Sequence, residues 1–162
     1  MATFGFEIYS DFVKSLVDAE AARKTSIESK GVAVITTSSA LVTILFGLVA
    51  VVTSRSTFTL PVAAHGWLVA AILAFVLAAA LAILVSFPLP YGQTDVTTND
   101  LSAWWHDTQS DADAAVAGLR LNQLDAARRM NAAKVTALCL ASVAELAGLV
   151  LLAVAVIRIV GS

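Results

Sequence analysis

With 162 residues, 59% of them hydrophobic and 14% charged, the chain cannot cover an ordinary water-facing surface, for which soluble domains use about half apolar and about a quarter charged residues. A formal charge of −2 lacks the basic excess of a nucleic-acid binder, and a single cysteine, Cys139, excludes a disulfide framework and a thiol zinc site. The mean hydropathy of +0.84 belongs to a membrane protein.

Residues 1–30 read as a cytoplasmic amphipathic helix. Phe6, Tyr9, Phe12, Val13, Leu16, Val17 and Ala21 recur at helical spacing, and no Pro or Gly interrupts Ile8 to Lys30. The helix should therefore run into the first apolar stretch, with Gly31 the one position for a kink. Glu7, Asp11, Asp18, Glu20 and Glu28 offset the bases, whereas a helix lying among lipid headgroups carries mainly bases on its polar face. The apolar stripe, Phe12 and Leu16 included, is expected to pack on partner helices. The segment has no short apolar region ending in a small-residue cleavage site, so no cleaved signal peptide is expected.

Residues 31–53, 64–87 and 135–157 are each long and apolar enough to cross a hydrocarbon core of about 30 Å. The first two form a transmembrane hairpin, 31–87. Trp67 suits an interfacial anchor at the outer start of the second span, and Pro88 and Pro90 end it. Lys14, Arg23, Lys24 and Lys30 precede span one, and Arg120, Arg128, Arg129 and Lys134 precede span three. The hairpin loop offers only Arg55 and the C-terminal tip only Arg158. The positive-inside rule then puts the N-terminus and the middle segment in the cytoplasm and the C-terminus outside.

The cytoplasmic segment 88–134 opens on "QTDVTTND", which predicts a helix starting near Asn99 or Asp100. It should continue through Leu101, Trp104, Trp105, Ala112, Val116, Leu119 and Leu124. Arg120, Arg128, Arg129 and Lys134 gather at its membrane end, where contact with anionic lipid is worth on the order of 1 kcal/mol per base. No Pro or Gly separates Arg120 from Ala147, so this helix should run on into the third span and outer tail, 135–162. Adjacent indoles cannot both enter one helical stripe, which makes Trp104 and Trp105 candidates for an oligomer or partner contact. The expected fold is an all-α membrane protein with three transmembrane helices, spans one and three extended into the cytoplasm, gathered in an oligomeric bundle.

Glu145 stands apart from the other charges. It lies eleven residues after Lys134 and thirteen before Arg158, about 16 and 20 Å along a helix, hence near the bilayer midplane. A carboxylate there costs about 2.5 kcal/mol or more and must face a bundle interior, a partner or a water-filled cavity. Ser39 and Thr43 of span one bracket its height and are the expected hydrogen-bond partners, in the same chain or a neighbour. Ala144 and Gly148 beside it form a small-xxx-small pair that lets another helix approach. Its role is read as a neutral carboxyl joining helices, as a station for ion or proton passage, or as a contact with a further partner.

No phosphate loop, nucleophile elbow or metal-ligand spacing is present in the sequence, so neither an enzyme nor a cofactor or metal site is expected. His65 and His106 fall on opposite sides of the membrane and cannot share a metal. Cys139 reads as a small apolar filler, and the repeated Ala of "LAAALA" as a close-packing face.

The stretch "AEAARKTSIESKGVAVITTSSALVTILFGL", residues 19–48, carries a resemblance. Its Arg-Lys pair, Ser and Lys-Gly step into a Thr/Ser-rich helix are similar to small actinobacterial integral membrane proteins related to the transmembrane effectors of Pycsar antiphage systems. The resemblance implies residence in the bacterial inner membrane, self-association, and a pore or other damage to that membrane once a signal is sensed. The chain departs from signal-gated members in lacking a recognisable cyclic-nucleotide-binding domain, and no catalytic residue carries over. The competing expectation is a non-catalytic structural or accessory subunit that docks onto a larger membrane complex through Trp104, Trp105 and the N-terminal stripe.

Overall fold

The computed structural model describes residues 2–54, 62–87, 102 and 109–160, and among them there is no β-strand. Three long helices account for the fold: α1 (Ala2–Thr53), α2 (Val62–Ser86) and α3 (Gln109–Val160). Each contains a stretch long and apolar enough to cross a membrane. The chain is thus an all-α membrane protein in which the first and third apolar spans continue, without a break, from polar helical segments.

α1 is helical without interruption through Gly31, which packs against Val85, Ser86 and the Ala82 carbonyl. α2 stops at Ser86, and Phe87, the residue before Pro88, has left the helix, as the steric clash between a proline ring and a preceding helical residue requires. The helix start read near Asn99 or Asp100, Trp104 and Trp105, Pro88 and Pro90, Arg55 and His106 lie outside the described residues.

The chain divides into two compact units, Met1–Ser26 with Pro88–Ala133, and Ile27–Phe87 with Lys134–Ser162. The divisions fall at 26/27, 87/88 and 133/134, against 30/31, 87/88 and 134/135 in the sequence reading.

In the first unit α1 and α3 run parallel. Arg120 donates to Ser10 at 2.8 Å, and farther along both helices Asn131 donates to the Glu20 carboxylate at 2.8 Å and to the Glu20 carbonyl at 3.0 Å. Val13 is buried on α1, while Ala117, Leu124 and Asn131 are buried on α3 at intervals of seven. That interval keeps one stripe of a helix facing its partner and is the sequence repeat of a left-handed coiled coil.

The second unit is a three-helix bundle. On α2 the buried residues are Ala64, Leu68, Ala71, Phe75, Ala78, Ala82 and Val85, alternating by four and three along its whole length. On α3 they are Lys134, Ala141, Gly148 and Ala155, again seven apart, and on α1 Ile27, Gly31, Ser38 and Leu45. The alanines of span two do form a close-packing face. Leu45, Leu68, Ala71, Phe75 and Ala155 make the central cluster, flanked by Leu41, Val42, Ile72, Leu151 and Leu152.

Two glycines set how near the helices come. A methyl group on Gly148 would lie 2.8 Å from the Phe75 ring, and one on Gly31 would lie 2.9 Å from Ser86 Oγ and 3.3 Å from the Ala82 carbonyl. Lipid tails are as apolar as leucine, so burial supplies little hydrophobic drive between such helices, and close van der Waals contact replaces it.

Candidate intramembrane polar site

Glu145 is half-buried on α3, between the buried Ala141 and Gly148. Its carboxyl Oε1 makes a short contact with Thr37 Oγ1 and accepts from Ser38 Oγ at 3.3 Å, both on α1. Ser38 is 1% exposed, whereas Thr37 is at the surface of the bundle. The site is therefore the rim of the α1–α3 contact, with one hydroxyl inside and one outside.

Thr37 also lies 3.1 Å from both the Ala33 and Val34 carbonyls. This back-bonding to the preceding turn recurs at Thr25, Thr36 and Thr43, and at Ser142 on α3. It lets hydroxyl side chains occupy an apolar helix by satisfying their own protons.

Within the chain, Glu145 meets Thr37 and Ser38 rather than the expected Ser39 or Thr43. The latter two are exposed, and Thr43 donates instead to the Ser39 carbonyl at 2.9 Å. Their height was right but their rotation was not. Ser38 shares the buried seven-residue series with Gly31 and Leu45, while Ser39 is turned about 100° away from it. A long glutamate also leans toward the N-terminus of its helix and so reaches residues lower on α1.

A second polar cluster lies at the edge of the same unit. Lys134, 4% exposed, donates to Glu28 Oε1 at 2.6 Å and to the Phe87 carbonyl at 3.3 Å, so one ammonium ties α1, the C-terminal end of α2 and α3 together. A cation there also complements the negative end of the α2 dipole. Lys134, read as a lipid contact, is instead buried among the three helices, with its ammonium paired to Glu28. Arg120 is likewise drawn to Ser10. Arg128, half-exposed and 3.8 Å from Glu20, and the exposed Arg129 are the two bases of that set at the surface.

Phe12 is 58% exposed and Leu16 half-buried, so the N-terminal stripe is only partly covered. Cys139 and Trp67 are exposed. Among the described residues no group of three His, Cys, Asp or Glu side chains could hold a metal ion. Comparisons with protein-family models, curated proteins and solved structures find no match to this chain. The site rests on its own geometry: a carboxyl and two hydroxyls in an apolar setting, able to hold or exchange a proton and to bind helices together.

Proposed function

We propose that the chain is a multi-pass protein of the bacterial inner membrane, N-terminus in the cytoplasm and C-terminus outside, whose copies associate and form a pore or perturb the bilayer. This is the action implied by its resemblance to antiphage and stress effectors of actinobacteria. The orientation follows from the eight bases that precede spans one and three against the single bases of the other two flanks.

The observation that supports self-association is on α1. Ser29, Ala33, Thr36, Ala40, Thr43 and Gly47 are all exposed, all small, and alternate by four and three residues. The same spacing continues back through exposed Ser26, Ala22, Ala19 and Ser15. The exposed faces of α2 and α3 are different: Leu73, Leu77, Leu84, Leu140, Leu146 and Val150 present large aliphatic groups suited to lipid tails. Small residues at coiled-coil spacing give two helices close backbone contact, and a second α1 offers the matching face.

Disulfide trapping tests the reading. In a Cys139→Ser background, cysteines at Thr36, Ala40 and Thr43 should cross-link pairs of chains in vesicles, while cysteines at the exposed Leu73 of α2 and Leu146 of α3 should not. Mass measurement in nanodiscs should give a closed homo-oligomer, and added protein should release dye from anionic vesicles. Uniform or absent cross-linking with a monomer mass would overturn self-association.

A second reading, an accessory subunit on a larger membrane complex, is supported by the exposed Ile8, Tyr9 and Phe12 near the start of α1. It calls for a monomer that purifies with one heterologous partner and loses it when Phe12 becomes Ser.

A further inference from the structure

Glu145 uses only one of its carboxyl oxygens within the chain. Both of its hydrogen bonds, from Thr37 and from Ser38, fall on Oε1, and Oε2 has no partner among the described residues. The side chain is half-buried at the rim of the α1–α3 contact, among apolar spans where water supplies few donors.

On α1 the exposed hydroxyls between Gly31 and Leu45 are Thr36, Thr37, Ser39 and Thr43. Thr36 donates to the Val32 carbonyl, Thr43 to the Ser39 carbonyl, and Thr37 to its own preceding turn and to Glu145. Ser39 differs from them: its hydroxyl makes no hydrogen bond among the described residues.

The unused donor and the unused acceptor lie at nearly one height but on different flanks of the chain. Ser39 is about 1.5 Å above Ser38 along the helix, turned about 100° one way from it, while Thr37 is turned about 100° the other way. Ser39 therefore faces away from the Glu145 of its own chain. A second copy closes the gap. Copies inserted in one orientation pack their α1 helices in parallel, and a twofold axis along the membrane normal then sets the Ser39 flank of each against the Thr37 flank of the other. The small side chains of Thr36, Ala40 and Thr43 between these flanks let the backbones come close enough for a serine to cross.

We propose that Ser39 of one copy donates to Glu145 Oε2 of the next, so that a single carboxyl holds α1 and α3 of its own chain and α1 of a neighbour. The proposal rests on the self-association argued above and names the polar bond that completes it.

The test mixes two full-length variants, Ser39→Ala and Glu145→Ala, carrying tags of different mass, in phospholipid nanodiscs and counts mixed and unmixed pairs by mass. A pair of Ser39→Ala chains lacks both contacts, as does a pair of Glu145→Ala chains. A mixed pair keeps one, between Ser39 of the Glu145→Ala chain and Glu145 of the Ser39→Ala chain. Mixed pairs should therefore exceed their random share about threefold, the effect of one hydrogen bond between helices in a membrane. Whatever Glu145→Ala does inside its own chain is carried equally by mixed and unmixed pairs and leaves the ratio unchanged. Thr43→Ala in place of Ser39→Ala should give the random share, because the Thr43 proton goes to the Ser39 carbonyl; an equal excess there would overturn the assignment to Ser39. Random pairing of Ser39→Ala with Glu145→Ala would overturn the contact and leave self-association standing. Wild-type chains that stay single would overturn self-association, and the contact with it.

Discussion

In the unit formed by the first halves of α1 and α3, the half-buried Glu20 accepts from Asn131 and lies 3.8 Å from the Arg128 guanidinium and 3.6 Å from that of Arg23. In the unit that contains α2, the half-buried Glu145 meets two hydroxyls and, among the described residues, no cation. Both are glutamates between the same two parallel helices. The difference is what the neighbouring solvent permits: near water, bases can be brought to a carboxylate with their stems packed and their heads wet, whereas among apolar spans each added charge carries its own desolvation cost. Glu28 and Lys134 sit between these cases, a charged pair at the edge of the apolar unit.

That comparison predicts where charge is indispensable. Lys134→Ala should be the most damaging of the substitutions considered, because it removes the one buried ammonium that serves both Glu28 and the Phe87 carbonyl. Removing one partner of a buried pair costs about 3 kcal/mol, the lower end of the usual range since Glu28 keeps some solvent. A lowered midpoint of denaturant unfolding in detergent would show it, and Lys134→Ala with Glu28→Gln should recover part of the loss. An unchanged midpoint would mean that the clasp contributes nothing.

Gly148→Ala tests the contact that stands in for charge in the apolar unit. The added methyl would meet three Phe75 ring atoms at 2.8 to 3.1 Å, and a ring locked in a buried stripe cannot step aside. Overpacking of this kind costs about 2 kcal/mol. Hydrogen exchange should quicken in α2 and the second half of α3 while amides of residues 109–133 keep their protection. Phe75→Leu combined with Gly148→Ala should restore much of the stability.

Asn131→Ala perturbs the other side of the comparison. It removes two hydrogen bonds to Glu20, one to the carboxylate and one to the backbone, at a site 0% exposed. Because Glu20 retains two arginines, about 1 kcal/mol should be lost. Faster exchange should be confined to residues 109–133 and the α1 amides before Ser26. A buried asparagine also fixes register, so Asn131→Leu should keep or raise stability while loosening the pairing of α1 with α3.

The sequence carried the spans and the uninterrupted helices plainly, since hydropathy and the absence of Pro and Gly are local properties. Glu145 was legible for the same reason: counting residues from Lys134 gives height directly. Its partners were not, because height leaves rotation open, and Thr36, Ser39 and Thr43 share a face that turns out to be the exposed one. The seven-residue series would have resolved it. Gly31, Ser38 and Leu45 on α1 and Lys134, Ala141, Gly148 and Ala155 on α3 mark the buried stripes, and they put Ser38 inward and Lys134 out of reach of lipid. A base near a membrane edge reads as a lipid contact only until an acid on the next helix claims it, which is a tertiary fact.

The smallest effect should come from Arg23→Ala. Arg23 pairs with Glu20 one turn away on the same helix, at 3.6 Å, with 52% of its side chain exposed. Exposed pairs of this spacing contribute about 0.5 kcal/mol or less and fade with salt. The residue nonetheless separates the two explanations of why Glu20 stays where it is. If cations hold the carboxylate, replacing both Arg23 and Arg128 should reproduce the local exchange seen in Asn131→Ala, and high salt should mimic it in the wild type. If the Asn131 amide holds it, the double replacement should leave exchange in residues 109–133 within about 0.5 kcal/mol of wild type, with no salt dependence. Asn131 reaches both the side chain and the carbonyl of Glu20 from a fully buried position, whereas both guanidiniums are at least half exposed, so the second outcome is the expected one.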